Sequence, residues 1–139
     1  MIVHAVTTGQ EASRGTDVLD YLRGLLAAYA FTPLHEADLQ DQVATVLNAA
    51  GVDVDREVLT ARGRYDLLVR ARGVSVVLEL KVTGSAPSVE RQAQRYALTP
   101  GVEAVAVVTT SNRLARELVR AGGESLGGKP FAVIALRGF

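Results

Sequence analysis

The sequence predicts an α/β fold, a mixed central sheet flanked by helices, and three observations lead there. Residues 62–83, RGRYDLLVRARGVSVVLELKVT, read as two β-strands joined by a tight turn, because 65–70 and 74–82 are rich in Val, Leu and Tyr around a Gly-containing connection. Residues 16–30 and 32–51 place apolar side chains at the spacing of one helix face. Beyond the hairpin, helical segments alternate with short apolar runs, which puts helices on the faces of a sheet.

Taken in order, residues 1–8 read as a short strand or a loose end, and the polar stretch 9–15 as a loop. From Thr16 as N-cap, the residues Val18, Leu19, Leu22, Leu25, Leu26 and Tyr29 make an amphipathic helix to about residue 30. Core packing, a lid or a dimer contact are the roles open to it. Thr32 and Pro33 open a second helix and Gly51 closes it, with Leu39, Val43, Val46, Leu47 and Ala50 as its buried stripe. Glu36 precedes Leu39 by three positions and Val43 by seven, so it projects from the inward face, where an acid needs a partner. The plainer alternative is a first-turn Glu that favours the helix dipole; Asp38 and Asp41 are lesser candidates.

Residues 52–60 form a strand that pairs with the hairpin, and Glu57 on it is structural or stands around a site rather than in it. With Arg72 and Gly73 as the two loop residues, Asp66 falls directly across from Glu79, and Lys81 lies two positions along the same strand face. The rest of both strand faces is mostly apolar. The hairpin is therefore expected to be largely buried, where charge is costly unless paired or metal-bound. Residues 83–87 turn, and Ser88 caps a helix over 89–98 on which Gln92 and Tyr96 share a face beside Arg91 and Arg95. Near a metal, such a face could hold a phosphate or a base; an ordinary surface helix is the alternative. Residues 102–109 make a buried strand. Ser111 caps a helix with Leu114, Ala115, Leu118 and Val119 inward and Arg113, Arg116 and Arg120 outward, where solvation or nucleic-acid backbone contact would explain them. Residues 122–130 are a loop and 131–136 a final strand.

Asp66, followed after a short hairpin by Glu79-Leu80-Lys81, resembles the PD-(D/E)xK phosphodiesterase superfamily of restriction-endonuclease-like nucleases. Gly63-Arg64-Tyr65-Asp66 resembles the Gly-Arg-x-Asp form found in several subgroups, with Tyr65 in the place of the nominal Pro. Gln92-Ala93-Gln94-Arg95-Tyr96 resembles the Gln-x-x-x-Tyr helix of RecB-like exonucleases, so the likeness is nearest to small RecB-like or phage-type nucleases. It covers roughly residues 34–110. The resemblance implies an αβββαβ core with an extra N-terminal helix, in a chain organised as one domain: extension 1–31, core 32–110, and C-terminal helix and strand 111–139. It implies Mg²⁺, replaceable by Mn²⁺, held by Asp66 and Glu79, with Glu36 and Leu80 also in the metal set. Lys81 would orient or activate the attacking water, and Gln92 and Tyr96 would join the catalytic set. Arg64, Arg91, Arg95, Arg113, Arg116 and Arg120 would contact nucleic acid. The implied activity is metal-dependent cleavage of phosphodiester bonds, in DNA ahead of RNA, during repair, recombination or phage and mobile-element DNA processing. Little chain lies beyond the core, so target selection would fall to a homodimer, a protein partner or DNA shape. Two alternatives stay open: a catalytically inactive nucleic-acid-binding or scaffold protein of the same fold, and a buried ion network that binds nothing.

Composition narrows these readings. A chain of 139 residues, 48% apolar and 22% charged, can bury one core and shows no disordered low-complexity run. The absence of Cys excludes disulfides, zinc–thiolate sites and iron–sulfur clusters. No stretch approaches about 20 apolar residues and the N-terminus lacks a basic start, so no membrane partner is expected and the protein is read as cytoplasmic. The net charge of zero conceals an asymmetry: residues 1–60 carry nine acids against three arginines, and residues 61–139 six acids against twelve bases. Thirteen of the fifteen basic residues are Arg, which suits forked contacts to phosphate, although the two halves could equally neutralise each other in the fold. The segment 123–130, GESLGGKP, matches both G-x-S-x-G and G-x-x-x-x-G-K. No His follows Ser125, and Pro130 stands where Ser or Thr should hold magnesium, so both matches are rejected. His4 and His35 are isolated in the sequence.

Overall fold

The computed structural model describes residues 2–138, and the side chains of residues 12–120 and 123–138. In chain order it comprises α1 (Ile2–Ala27), β1 (Ala30–Phe31), α2 (Glu36–Ala49), β2 (Asp53–Thr60), β3 (Gly63–Ala71), β4 (Val74–Lys81), α3 (Ala86–Ala97), β5 (Ala104–Thr109), α4 (Asn112–Gly122), β6 (Ser125–Leu126), β7 (Lys129–Ala135) and β8 (Arg137–Gly138). Six strands form a mixed sheet in the order β2-β3-β4-β5-β7-β6. Antiparallel pairing runs through β2, β3 and β4, and β4, β5 and β7 are parallel. This is the mixed, helix-flanked α/β architecture expected from the pattern. Strands β4 and β5 are buried almost throughout, as strands covered on both faces must be.

Two apolar layers cover the sheet. On one face α1 and α2 pack Val18, Leu22, Leu39 and Val43 against Leu67, Leu78 and Leu80. On the other, α3 and α4 pack Val89, Tyr96, Leu114 and Leu118 against Val77, Val105 and Val107. Helix α1 is therefore part of the core, the plainest of the three roles considered for it.

Several boundaries differ from the sequence reading. Residues 2–15 are neither strand nor loop but the first half of α1. Gly15, read as a loop residue, lies where α1 crosses the sheet: a Cβ there would stand 3.0 Å from Pro130 Cγ and 3.3 Å from the Glu103 carbonyl. Thr16 caps nothing, since its Oγ1 donates back to the Ala12 carbonyl at 3.0 Å within the helix. Helix α2 starts at Glu36 rather than at Pro33, because Asp38 reaches back to accept from the backbone N–H groups of Leu34 (3.0 Å) and His35 (2.9 Å). Helix α3 begins three residues earlier than expected: Ser85, not Ser88, is the N-cap, its Oγ accepting from Ser88 N at 3.4 Å, with Pro87 in the first turn. Within 122–130, Gly127 (φ 58°) and Gly128 (φ 77°) turn a short β6–β7 hairpin. That hairpin accounts for Gly127 and Gly128 of the rejected motifs, Gly123 (φ 68°) is the C-cap of α4, and Lys129 Nζ donates to the Thr99 carbonyl at 3.0 Å. Strands β1 and β8, not foreseen, pair with each other in parallel.

Candidate active site

The site is built at the open end of the β3–β4 hairpin. The Arg72–Gly73 connection sets the register Leu67↔Leu78 through Ala71↔Val74, which brings Asp66 level with Glu79. In that register the next hydrogen-bonded pair would join Tyr65 and Leu80. Instead the Leu80 N–H donates to Asp66 Oδ2 at 2.8 Å, and Gln40 Nε2 of α2 donates to Asp66 Oδ1 at 3.3 Å. Both carboxylate oxygens of Asp66 are thus held by neutral donors.

Glu79 is only 2% exposed, and Lys81 Nζ lies 3.4 Å from its Oε1. Its second oxygen, Oε2, is buried without a hydrogen-bond partner among the described residues. Burial, and next the negative charge of Asp66, push the Glu79 carboxyl up to about 8, with Lys81 opposing. A deeply buried acid facing a second carboxylate and carrying an unsatisfied oxygen is short of positive charge, and one ammonium does not supply enough.

Glu36 occupies the first turn of α2 and accepts from the Val82 N–H through Oε2 at 3.4 Å, so it closes onto the chain just past the end of β4. Gln40, one turn later, is 8% exposed. The sequence reading missed it, yet a signal existed: Glu36, Gln40, Val43 and Leu47 follow the spacing of one face, making Gln40 a polar residue on an apolar stripe. Asp38 caps α2 and Asp41 pairs with Arg56, which takes both out of the site. Leu80 places its side chain wholly in the core and gives its N–H to Asp66.

Gln92 and Tyr96 do share a face. Gln92 Nε2 donates to the Tyr96 hydroxyl at 3.1 Å, and that hydroxyl donates to the Arg64 carbonyl at 2.9 Å. Tyr96 is buried, stacks edge-on against Tyr65 at 4.9 Å, and approaches Gly63 so closely that a Cβ there would lie 3.4 Å from its ring. Its phenol is raised by burial, which the Gln92 hydrogen bond opposes and the charges of Glu79 and Asp66 reinforce. The pair therefore acts as a strut that fixes the backbone just ahead of Asp66.

The arginines are distributed differently. Arg91, Arg95, Arg113, Arg116 and Arg120 are exposed on α3 and α4, on the face away from α1 and α2. Arg113 bonds Glu117 and the Gly84 carbonyl, both at 3.0 Å, tying α4 to the loop that follows β4. Arg64 pairs with Glu57 at 2.9 Å, both side chains exposed. His35 precedes α2 and makes no side-chain cap, and the His4 side chain lies outside the described ones.

Among the described residues Glu36 joins Asp66 and Glu79 in no metal-holding group, and there is no group of three or more His, Cys, Asp or Glu side chains that could hold a metal ion. Magnesium does not need one, because it keeps several waters and is usually held by one or two carboxylates together with substrate phosphates. The orphaned Glu79 Oε2 and the facing Asp66 fit that requirement, and an all-oxygen donor set selects a hard cation. No helix among the described residues is long and apolar enough to cross a membrane.

No protein-family model matches the chain, and a search of curated proteins returns no match. The functional reading therefore rests on this chain's own residues.

Proposed function

We propose that the protein is a divalent-metal-dependent nuclease of the PD-(D/E)xK, restriction-endonuclease-like type, hydrolysing phosphodiester bonds in nucleic acid, DNA ahead of RNA. One observation carries the reading: Asp66 and Glu79 meet at the open end of a buried hairpin, with Lys81 3.4 Å from Glu79 Oε1 and the other Glu79 oxygen unsatisfied. The order α2-β2-β3-β4-α3-β5 agrees with the αβββαβ core of that type.

Asp66 and Glu79 would hold Mg²⁺, or Mn²⁺ in its place. When bound, such an ion polarises a phosphate and lowers the pKa of a water. Lys81, its Nζ 3.4 Å from Glu79 Oε1, stands where an ammonium would offset the negative charge that grows on the phosphate in the transition state. Gln40 and the Leu80 N–H hold Asp66, while the Gln92–Tyr96 strut fixes the strand that carries it. The exposed arginines of α3 and α4 offer backbone-type contacts that carry no sequence preference of their own. The test is incubation of the protein with plasmid and oligonucleotide DNA and RNA, with Mg²⁺ or Mn²⁺ and a chelator control. Cleavage that needs the metal supports the reading; intact substrates under all conditions reject it.

A further inference from the structure

We infer that Gln40 is a positioning residue for the metal site, a role that rests on the metal-dependent reading above. A buried glutamine on an apolar helix stripe needs a reason, since desolvating an amide without partners costs free energy. Gln40 is more than nine-tenths buried, and the bond that explains it is the donation from Nε2 to Asp66 Oδ1 at 3.3 Å. Asp66 Oδ2 is already fixed by the Leu80 N–H at 2.8 Å, so the second donor, coming from a different element, sets the rotation of the carboxylate plane. Four residues earlier on the same face, Glu36 bonds Val82 N. One turn of α2 thereby reaches β3 and the residue that follows β4, and Gln40 is its link to β3. A neutral amide suits this place: it holds a carboxylate without neutralising it, whereas Lys or Arg would compete with the cation.

Groups that orient a metal ligand without touching the metal typically contribute about 10-fold to 100-fold in affinity. The experiment is a Mn²⁺ titration of the full chain, followed by the electron paramagnetic resonance signal of free Mn²⁺, with the melting temperature taken on the same preparations. Gln40→Met keeps the side-chain length and removes the donor; it is expected to bind Mn²⁺ about 10-fold to 100-fold more weakly while melting close to the wild type. Gln40→Asn, whose amide stops one methylene short of Asp66, is expected to behave likewise and serves if the Met variant does not fold. Val43→Ala, on the same helix face but packed in the core, should melt lower and keep wild-type affinity. Wild-type affinity in the Gln40 variants overturns the inference and leaves the metal site standing. Affinity that falls in step with melting temperature across all the variants shows a purely structural role and also overturns it. If the wild type binds no Mn²⁺ at millimolar concentration, the metal reading fails and the inference fails with it.

Discussion

The two ends of the β3–β4 hairpin are built on different principles. At the turn, Arg72 (φ 52°) and Gly73 (φ 77°) close a two-residue connection whose left-handed angles match the twist of the flanking strands. Alternation there is regular: Val69, Val74 and Val76 join the α1–α2 layer, and Leu68 and Val77 the α3–α4 layer. At the open end it is interrupted. Tyr65 and Leu67, two positions apart, belong to opposite layers, and so do Val58 and Val54 on β2. Between them stand Asp66 and, opposite on β2, Glu57 with φ 54°, while pairing resumes in the same register beyond. One end is held by apolar burial. The other is held by bonds from Gln40, Leu80, Tyr96 and Arg64, and it is the end that carries the charge. Backbone irregularity and buried charge coincide, as they do where a fold gives up local stability for a site.

The largest effect that would sharpen this contrast is on catalysis. Lys81→Ala removes the ammonium but neither carboxylate, so cleavage should fall about 100-fold to 1000-fold, as for loss of one transition-state donor, while Mn²⁺ still binds. Cleavage at the parental rate by folded Lys81→Ala would break the assignment. A buried ion network without catalysis would instead show mainly a drop in melting temperature.

The next effect is on stability against pH. Glu79 has its carboxyl raised from 4.5 to about 8 by burial and then by Asp66, so the folded chain keeps a proton that the unfolded chain has released. Without metal, that contribution is complete below about 4.5 and is lost as pH rises towards about 8, a change on the order of a few kcal/mol. Denaturant melts in chelator between pH 5 and 8 should show stability falling with pH in the wild type, and Glu79→Gln should flatten the dependence. An equal slope in both proteins would place the proton elsewhere.

The smallest effect belongs to the turn. Gly73→Ala puts a Cβ on a residue at φ 77° and should cost about 1 kcal/mol, leaving Mn²⁺ affinity and cleavage unchanged. A change in metal affinity would mean that the two ends are coupled, contrary to the division drawn above.

The contrast also explains what could be read from the sequence. The hairpin register followed from a two-residue turn and a hydrophobic pattern, both local, and it was enough to bring Asp66 level with Glu79. Gly15 misled because its reason is a close approach to Pro130, distant in sequence, and a glycine needed for contact looks like a glycine needed for a turn. The starts of α2 and α3 shifted because Asp38 and Ser85, rather than the equally suitable Thr32 and Ser88, supply the caps. Gln40 carries no charge that would mark it as a ligand, and its one signal in the sequence was a polar side chain on the apolar stripe of α2. The left-handed Glu57 had no sequence signal, because a Glu at that angle is held by tertiary structure alone.

The most direct test of the central claim, that the open end of the hairpin is a cation site, is a Mn²⁺ titration of wild type and Asp66→Ala with thermal melts alongside. The account predicts saturable binding and a metal-dependent rise in melting temperature in the wild type, both absent in Asp66→Ala. Equal Mn²⁺ affinity in the two proteins, or none in either, would contradict it.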